Sequence, residues 1–323
     1  MIDNLQDELI HYGIGNTIFH HSCNIEKLLI YNNIYIKFEG GNPTGTMKDR
    51  AAYNCLKEAK LKGYKEIAIG SCGNFGAAFV HLAQFFKIKT NVYIPEHYHT
   101  KRIVEMEQKG AIIHRAPGTY EDVVAYSSRE ALRNGWYDAN PGVNSNTKLS
   151  IEAYAAMSYE IYNQLCFAPD AVAVPVGNGT TIAGIYYGFK QLYKAGKTKK
   201  IPVMIAASTT GGNPVIKCFK AGEKMISDLK PEDIIETDYN EPLVSWISLD
   251  GQEALDALWE SNGWATYVED SEMLTMSNNL LKEEGLSVLP ASSASLLALK
   301  KYVVEKRLGK GLDLIAILTA RQP

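Results

Sequence analysis

Alternation is the feature that most limits what this chain can become. Short apolar runs of strand type, among them "NNIYIKFEG", "KEIAIG", "TNVYIP", "GAIIHR", "DAVAVPV", "IPVMIAAS" and "LDLIAILT", are separated by stretches of helical spacing. "YEDVVAYSSREALRN", "IEAYAAMSYEIYNQL", "SEMLTMSNNLLKEEG" and "SASLLALKKYVVEKR" are examples of the latter. A strand–helix–strand rhythm of this kind builds parallel sheets covered by helices. At 323 residues the chain is long for one domain and suits two lobes around a cleft. The segment "ANPGVNSNTK", residues 139–148, is rich in Asn, Gly and Pro and is the best hinge candidate. A second irregular, polar stretch from about Lys217 to Glu241 reads as surface cover.

Bulk properties exclude several partners. A net charge of -3 gives no electrostatic reason to expect nucleic acid or an acidic membrane. No apolar run approaches the ~20 residues of a membrane helix. The start "MIDNLQDELI" is acidic, unlike a signal peptide, so a cytoplasmic location is the expectation. Cys23, Cys55, Cys72, Cys166 and Cys218 are odd in number, scattered and form no CxxC pair, which argues against a disulfide framework or a zinc site. His20-His21 and the pair in His97-Tyr98-His99 are weak metal signals, and no metal is expected.

Three turns have a composition that plain connections do not need. In "FEGGNPTGTMKDR", Gly40, Gly41, Pro43 and Gly45 can build a tight turn that delivers Lys48 to the start of a helix ending near Gly63. "GSCGNFGAA" follows a strand and would point the side chains of Ser71 and Asn74 above the sheet. "GNGTT", Gly177 to Thr181, opens another helix, where glycines allow close approach and free N–H groups with the Thr180 and Thr181 hydroxyls make an anion cup. It lacks the Gly-Lys-Ser/Thr ending of a triphosphate loop and suits one terminal phosphate. A lysine amine, a one-phosphate cup and an asparagine for a ring hydroxyl together describe pyridoxal 5'-phosphate held as a Schiff base. A nicotinamide oxidoreductase would need GxGxxG, which is absent, and a non-catalytic sensor would be expected to lose Lys48 or Asn74.

With these residues in hand, the chain resembles the fold-type II pyridoxal-phosphate enzymes, and within them the threonine synthases. "GGNPTGTMKDR", "SCGNFG", "PVGNGTT" and "EEGLSVLPASSASLLAL" are similar to that family's four signature segments, in order and at the expected spacing. The resemblance implies an α/β fold of the tryptophan synthase β type, with two lobes of twisted, mainly parallel sheets covered by helices. A large cofactor-binding domain would comprise 1–52 plus 146–323, and a small mobile domain 53–145. A homodimer is common for this fold. The resemblance implies that Lys48 forms the aldimine and shuttles protons, and that Asn74 bonds the ring hydroxyl. It implies that Gly177, Asn178, Gly179, Thr180 and Thr181 hold the phosphate and that Thr319 faces the pyridine nitrogen. Ser71, Cys72, Phe75, Asn144, Ser145 and Lys148 would meet a small amino-acid substrate.

The departures concern that substrate. Phe75 replaces the threonine that threonine synthases usually place after the loop asparagine, where it helps hold the substrate phosphate. In "NSNTKLS" the place of their usual arginine is taken by Ser150, and Lys148 is the candidate to compensate. Cys72 stands where serine or threonine is common, and "LTARQP" replaces a glycine-rich "LTGHG". Two chemistries are therefore expected. One is the threonine-synthase conversion of phosphohomoserine to threonine and phosphate. The other is β-elimination or β-replacement, as in serine/threonine dehydratases and O-activated-serine synthases.

Overall fold

The structure, a computed structural model, describes residues 8–22, 24–25, 32–306 and 308–322. Cys23 and the first seven residues of the acidic N-terminal segment lie outside the described residues.

Two sheets organise the chain. The larger has the strand order β1 (Ile18–His21), β2 (Asn33–Phe38), β10 (Asp313–Leu318), β7 (Ala171–Pro175), β8 (Val203–Thr209), β9 (Trp264–Val268). β1 runs antiparallel to β2, and the remaining neighbours are parallel. The smaller sheet is parallel throughout, in the order β5 (Ile112–Ala116), β4 (Lys89–Pro95), β3 (Glu66–Gly70), β6 (Tyr137–Asp138). The central strands β7 and β10 are almost wholly buried, which is why "AVAVP" and "DLIAIL" read as continuous apolar runs and not as alternation.

The helices that cover the sheets are α1 (Lys48–Leu61), α2 (Asn74–Phe86), α3 (Lys101–Gln108), α4 (Tyr120–Asn134), α5 (Asn144–Leu165), α6 (Thr180–Lys194), α7 (Pro214–Ala221), α8 (Gly251–Glu260), α9 (Asp270–Glu284) and α10 (Ala294–Glu305). Their ends follow local chemistry. α4 opens on a Thr119–Asp122 capping box and closes on Gly135 at φ +66°. α7 has Asn213 as its cap and a proline in its first turn. α1 ends at Leu61 with Lys62 as cap, and Gly63 follows at φ +83°. Among the described residues no helix is long and apolar enough to cross a membrane.

Two expectations about irregular segments change. The hinge candidate at 139–148 is irregular only up to Val143, because α5 begins at Asn144 and continues unbroken to Leu165. "NSNT" carries no apolar periodicity, so the helix start is invisible until its buried positions, Asn146, Thr147 and Ser150, are seen to share one face. The stretch from Lys217 to Glu241 is more than surface cover. Its first residues end α7, and the chain from Pro231 to Trp246 then runs across the mouth between the sheets. Backbone bonds from Ile235 N–H to Gly211 C=O (2.8 Å) and from Leu229 N–H to Trp246 C=O (2.9 Å) hold it there.

Candidate active site

The turns singled out from composition meet in one place. A cavity of about 680 Å³ lies where β2, β3, β4, β7 and β10 end, on the carboxyl side of both sheets, the usual ligand position in parallel α/β folds.

Lys48 is the first residue of α1 and lines this cavity. The turn that delivers it is locked against the C-terminal segment. Met47 N–H donates to Thr319 C=O (2.9 Å), Arg321 N–H donates to Gly45 C=O (2.9 Å), and Thr46 bridges Ala320. Gly45 has φ +80°, and a Cβ there would lie 2.6 Å from Arg321 Nε, so glycine is required on both counts. The Lys48 ammonium lies 5.4 Å from the Phe75 ring centroid and 5.8 Å from that of Tyr154. Burial lowers its pKa to about 8, with the Asp250 carboxylate acting in the opposite direction. A depressed lysine carries neutral amine near neutral pH, which suits a nucleophile and proton carrier. Reductive labelling of Lys48 in the apo-protein by pyridoxal phosphate and borohydride should therefore rise with pH around a midpoint near 8. A midpoint at the ordinary lysine value, followed by peptide mass spectrometry, would contradict this environment.

The turn after β3 brings Ser71, Cys72, Asn74 and Phe75 to the cavity. Ser71 Oγ accepts from Gly76 N–H (2.9 Å) and so shapes the turn. Burial raises the Cys72 thiol to about 12, which leaves it a small buried residue and a poor nucleophile. Asn74 Oδ1 accepts from Arg102 Nε (3.0 Å), so its NH₂ group is left to donate into the cavity. Arg102 also donates to Thr44 C=O (2.9 Å) and to Glu105 (2.7 Å), tying the asparagine turn to the lysine turn. No motif marks Arg102 in the sequence.

The turn after β7 brings Gly177, Asn178, Gly179, Thr180 and Thr181 to the cavity. Among the described residues none of the N–H groups from Gly177 to Ile182 donates to another residue, so a row of free amides faces the cavity at the α6 N-terminus. Gly179 has φ +96°, and a Cβ would sit 2.5 Å from that of Ala254. Thr181 Oγ1 donates to Met47 Sδ (3.3 Å) and Thr180 Oγ1 to Asp250 Oδ2 (3.1 Å). Asp250 also accepts from Thr147 Oγ1 (2.5 Å) and Gly142 N–H (3.1 Å), a knot the sequence did not reveal. Gly179→Ala should weaken cofactor retention at least tenfold in equilibrium dialysis, because both the left-handed backbone and the close approach to α8 are lost.

Thr319 lines the cavity and its hydroxyl shares a 2.8 Å hydrogen bond with Ser292 Oγ, which in turn accepts from Ala320 N–H (3.0 Å). Asn144, Ser145 and Lys148 are not brought in. They are exposed on the outer side of the first turns of α5, while Asn146, Thr147 and Ser150 from the same turns line the cavity. Helix register decides this, since residues three and four apart share a face. Lys48 is thus the sole lysine or arginine among the described residues that line the cavity.

A lysine of lowered pKa, an asparagine N–H₂ on the same cavity and a row of amides unpaired among the described residues fit a phosphorylated pyridine aldehyde. The comparisons agree. The family model described as "Pyridoxal-phosphate dependent enzyme" matches residues 10–320. Threonine synthase of Methanocaldococcus jannaschii is 29% identical over 316 residues, covering 97% of this chain and 76% of that protein. Threonine synthase of Bacillus sp. (strain ULM1) is 32% identical over 308 residues, covering 94% and 82%. The structure of serine racemase from Dictyostelium discoideum superposes with a TM-score of 0.80 at 20% identity, covering 99% of this chain and 96% of that one, which shows the shared fold. The chain belongs to the pyridoxal-phosphate dependent enzymes of fold type II, and pyridoxal 5'-phosphate is its cofactor.

Proposed function

We propose that this enzyme catalyses elimination or replacement at the β-carbon of a small amino acid that carries no phosphate of its own. The carrying observation is the charge of the cavity. Among its described lining residues Lys48 is the sole lysine or arginine, whereas Glu96, Glu121, Glu236, Glu241 and Asp250 all reach it. Phosphohomoserine would bring a second doubly charged phosphate into this acidic space. Lys148, the candidate to receive it, is exposed on α5.

Bound pyridoxal phosphate supplies an electron sink for charge developed at the substrate Cα. The protein's part is then to bind, orient and move protons. The Gly177–Thr181 amides would hold the phosphate, and the Asn74 amide would donate to the ring oxygen. The Thr319 hydroxyl, neutral and shared with Ser292, would be the group offered to the ring nitrogen, and a neutral hydroxyl there would favour elimination over transamination. Lys48 Nζ accepts the Cα proton. Residues 53–145, closing on the larger unit, exclude water.

The names of the curated relatives favour a second reading, the threonine-synthase conversion of phosphohomoserine. The visible spectrum of the holoenzyme separates the two. We expect L-serine or O-acetyl-L-serine to shift the cofactor band and O-phospho-L-homoserine to leave it unmoved. A shift with phosphohomoserine, accompanied by phosphate and threonine, establishes the second reading and overturns the first.

A further inference from the structure

Asn74 can serve the ring oxygen only with its NH₂ group forward. An asparagine amide has an acceptor side and a donor side, and a half-turn of the side chain exchanges them. Left alone, Asn74 would offer either side to the cavity. Arg102 removes the choice. A guanidinium only donates, and its Nε donates to Asn74 Oδ1 (3.0 Å), so turning the amide over would set N–H against N–H. Among the described residues the Asn74 NH₂ group has no hydrogen-bond partner and is the side left for a ligand.

The guanidinium is itself held still. Its Nη2 donates to Thr44 C=O (2.9 Å) in the lysine turn, and its Nη1 donates to Glu105 (2.7 Å), which also accepts from Lys109 (2.8 Å). Thr44 is fixed in turn by Asp49, which accepts from its N–H and its hydroxyl (2.8 Å each). The Arg102 side chain is 12% exposed. The helix that carries it, α3, is pinned to the asparagine turn. Thr100, just before α3, donates to Cys72 C=O (2.9 Å), and a Cβ on Gly76 would lie 2.9 Å from Met106 Sδ. Three acceptors from three segments thus meet one planar fork, an arrangement that a single ammonium cannot reproduce.

We infer that Arg102 is a positioning residue for cofactor recognition, which holds the Asn74 amide with its donor side towards the cavity. It acts through Asn74, and the inference rests on the reading above that places Asn74 at the ring oxygen.

The test is a double-mutant cycle read by equilibrium dialysis of pyridoxal phosphate against the wild type, Asn74→Ala, Arg102→Met and the double variant. Asn74→Ala should weaken retention about tenfold or more, the worth of one hydrogen bond to a charged oxygen. Arg102→Met should weaken it by at least about fivefold, and the double variant should lie within about twofold of Asn74→Ala alone, because Arg102 has nothing left to orient. Two effects that multiply would mean that Arg102 acts independently of Asn74, and retention unchanged in Arg102→Met would mean that it does not act at all; either overturns the inference. The visible band at saturating cofactor is a readout that mere loss of stability would not move. Arg102→Met should alter it in the same sense as Asn74→Ala, and the double variant no further, whereas a wild-type band in Arg102→Met overturns the inference. Arg102→Lys keeps the charge but not the fork, and carries the same comparisons if Arg102→Met does not fold. It should retain cofactor less well than the wild type, and wild-type retention would show that charge alone suffices and overturn the role of the fork. If Asn74→Ala itself keeps both retention and band, the placing of Asn74 fails and this inference with it. If Asn74→Ala loses them and Arg102→Met does not, this inference alone fails.

Discussion

Lys48→Ala will yield a protein that binds pyridoxal phosphate without a covalent link and turns over at least about 10³-fold more slowly, the range expected when a positioned proton carrier is removed. Borohydride treatment followed by intact-mass measurement is the check. The wild type should gain one reduced cofactor and the variant none. The cofactor should still associate, because the Gly177–Ile182 amides and Asn74 are untouched by the substitution. An adduct of unchanged yield on the variant would place the covalent link on another lysine and remove Lys48 from the chemistry. The expectation follows from position. The amine projects from the first residue of α1, its turn is bonded to Thr319 and Arg321, and two aromatic rings flank it.

Arg50→Met will cost about 3–5 kcal/mol of stability, the usual penalty for stranding buried charge by removing one partner. Arg50 is fully buried and donates through Nε and Nη2 to Glu39 (2.6 and 2.9 Å) and through Nη1 and Nη2 to Glu160 (2.7 and 3.0 Å). Lys37 completes the quartet, donating to Glu160 (2.5 Å) and to Thr17 C=O (3.0 Å). Two cations and two carboxylates balance, so the net charge is zero until Arg50 is lost. Urea unfolding should show a lower midpoint with an unchanged slope. An unchanged midpoint would show the quartet to be energetically idle. Acid provides an independent view. Burial alone would raise the Glu160 carboxyl, but Arg50 and then Lys37 bring it down to about 2. A carboxyl lower in the folded state than in the unfolded one stabilises above the unfolded value, and that stability is lost as pH falls towards 2. The wild type should therefore lose this contribution between about pH 4.5 and pH 2, and Glu160→Gln should flatten that part of the profile.

The quartet also bears on function. Arg50 lies two residues beyond Lys48 on α1, and Glu39 begins the turn that precedes it. Asn42 donates to both the Glu39 carboxylate and its carbonyl (2.9 Å each) and receives Gly15 N–H (2.9 Å). A buried, fully bonded network on the first turn of α1 fixes where the lysine points, so loss of Arg50 should also loosen the cofactor.

Much of this was legible in the sequence wherever the cause is local. The strands are apolar runs bounded by turn residues. The three turns that line the cavity betray themselves by glycines that a plain connection has no reason to carry, as Gly45 and Gly179 do with their positive φ. Lys48 at a helix start, the Asn74 turn and the anion cup follow from short stretches, and the four segments together carry the family resemblance.

What tertiary structure decided depends on register and long-range contact, which short stretches do not encode. α5 begins at Asn144, and its rotation turns Asn146, Thr147 and Ser150 inward and Asn144, Ser145 and Lys148 outward. A polar helix start has no apolar stripe to announce that choice. Arg102 meets Asn74 across 28 residues, and Asp250 meets Thr147 and Thr180 across 103 and 70. The 231–246 segment has no periodicity, yet it brings Glu236 and Glu241 to the cavity. The sequence by itself determined the sheets, the three turns that meet at the cavity and the lysine at its helix start, because turn sterics and hydrophobic period act over a few residues. The charge of the cavity was settled only when the folded backbone chose which side chains face it.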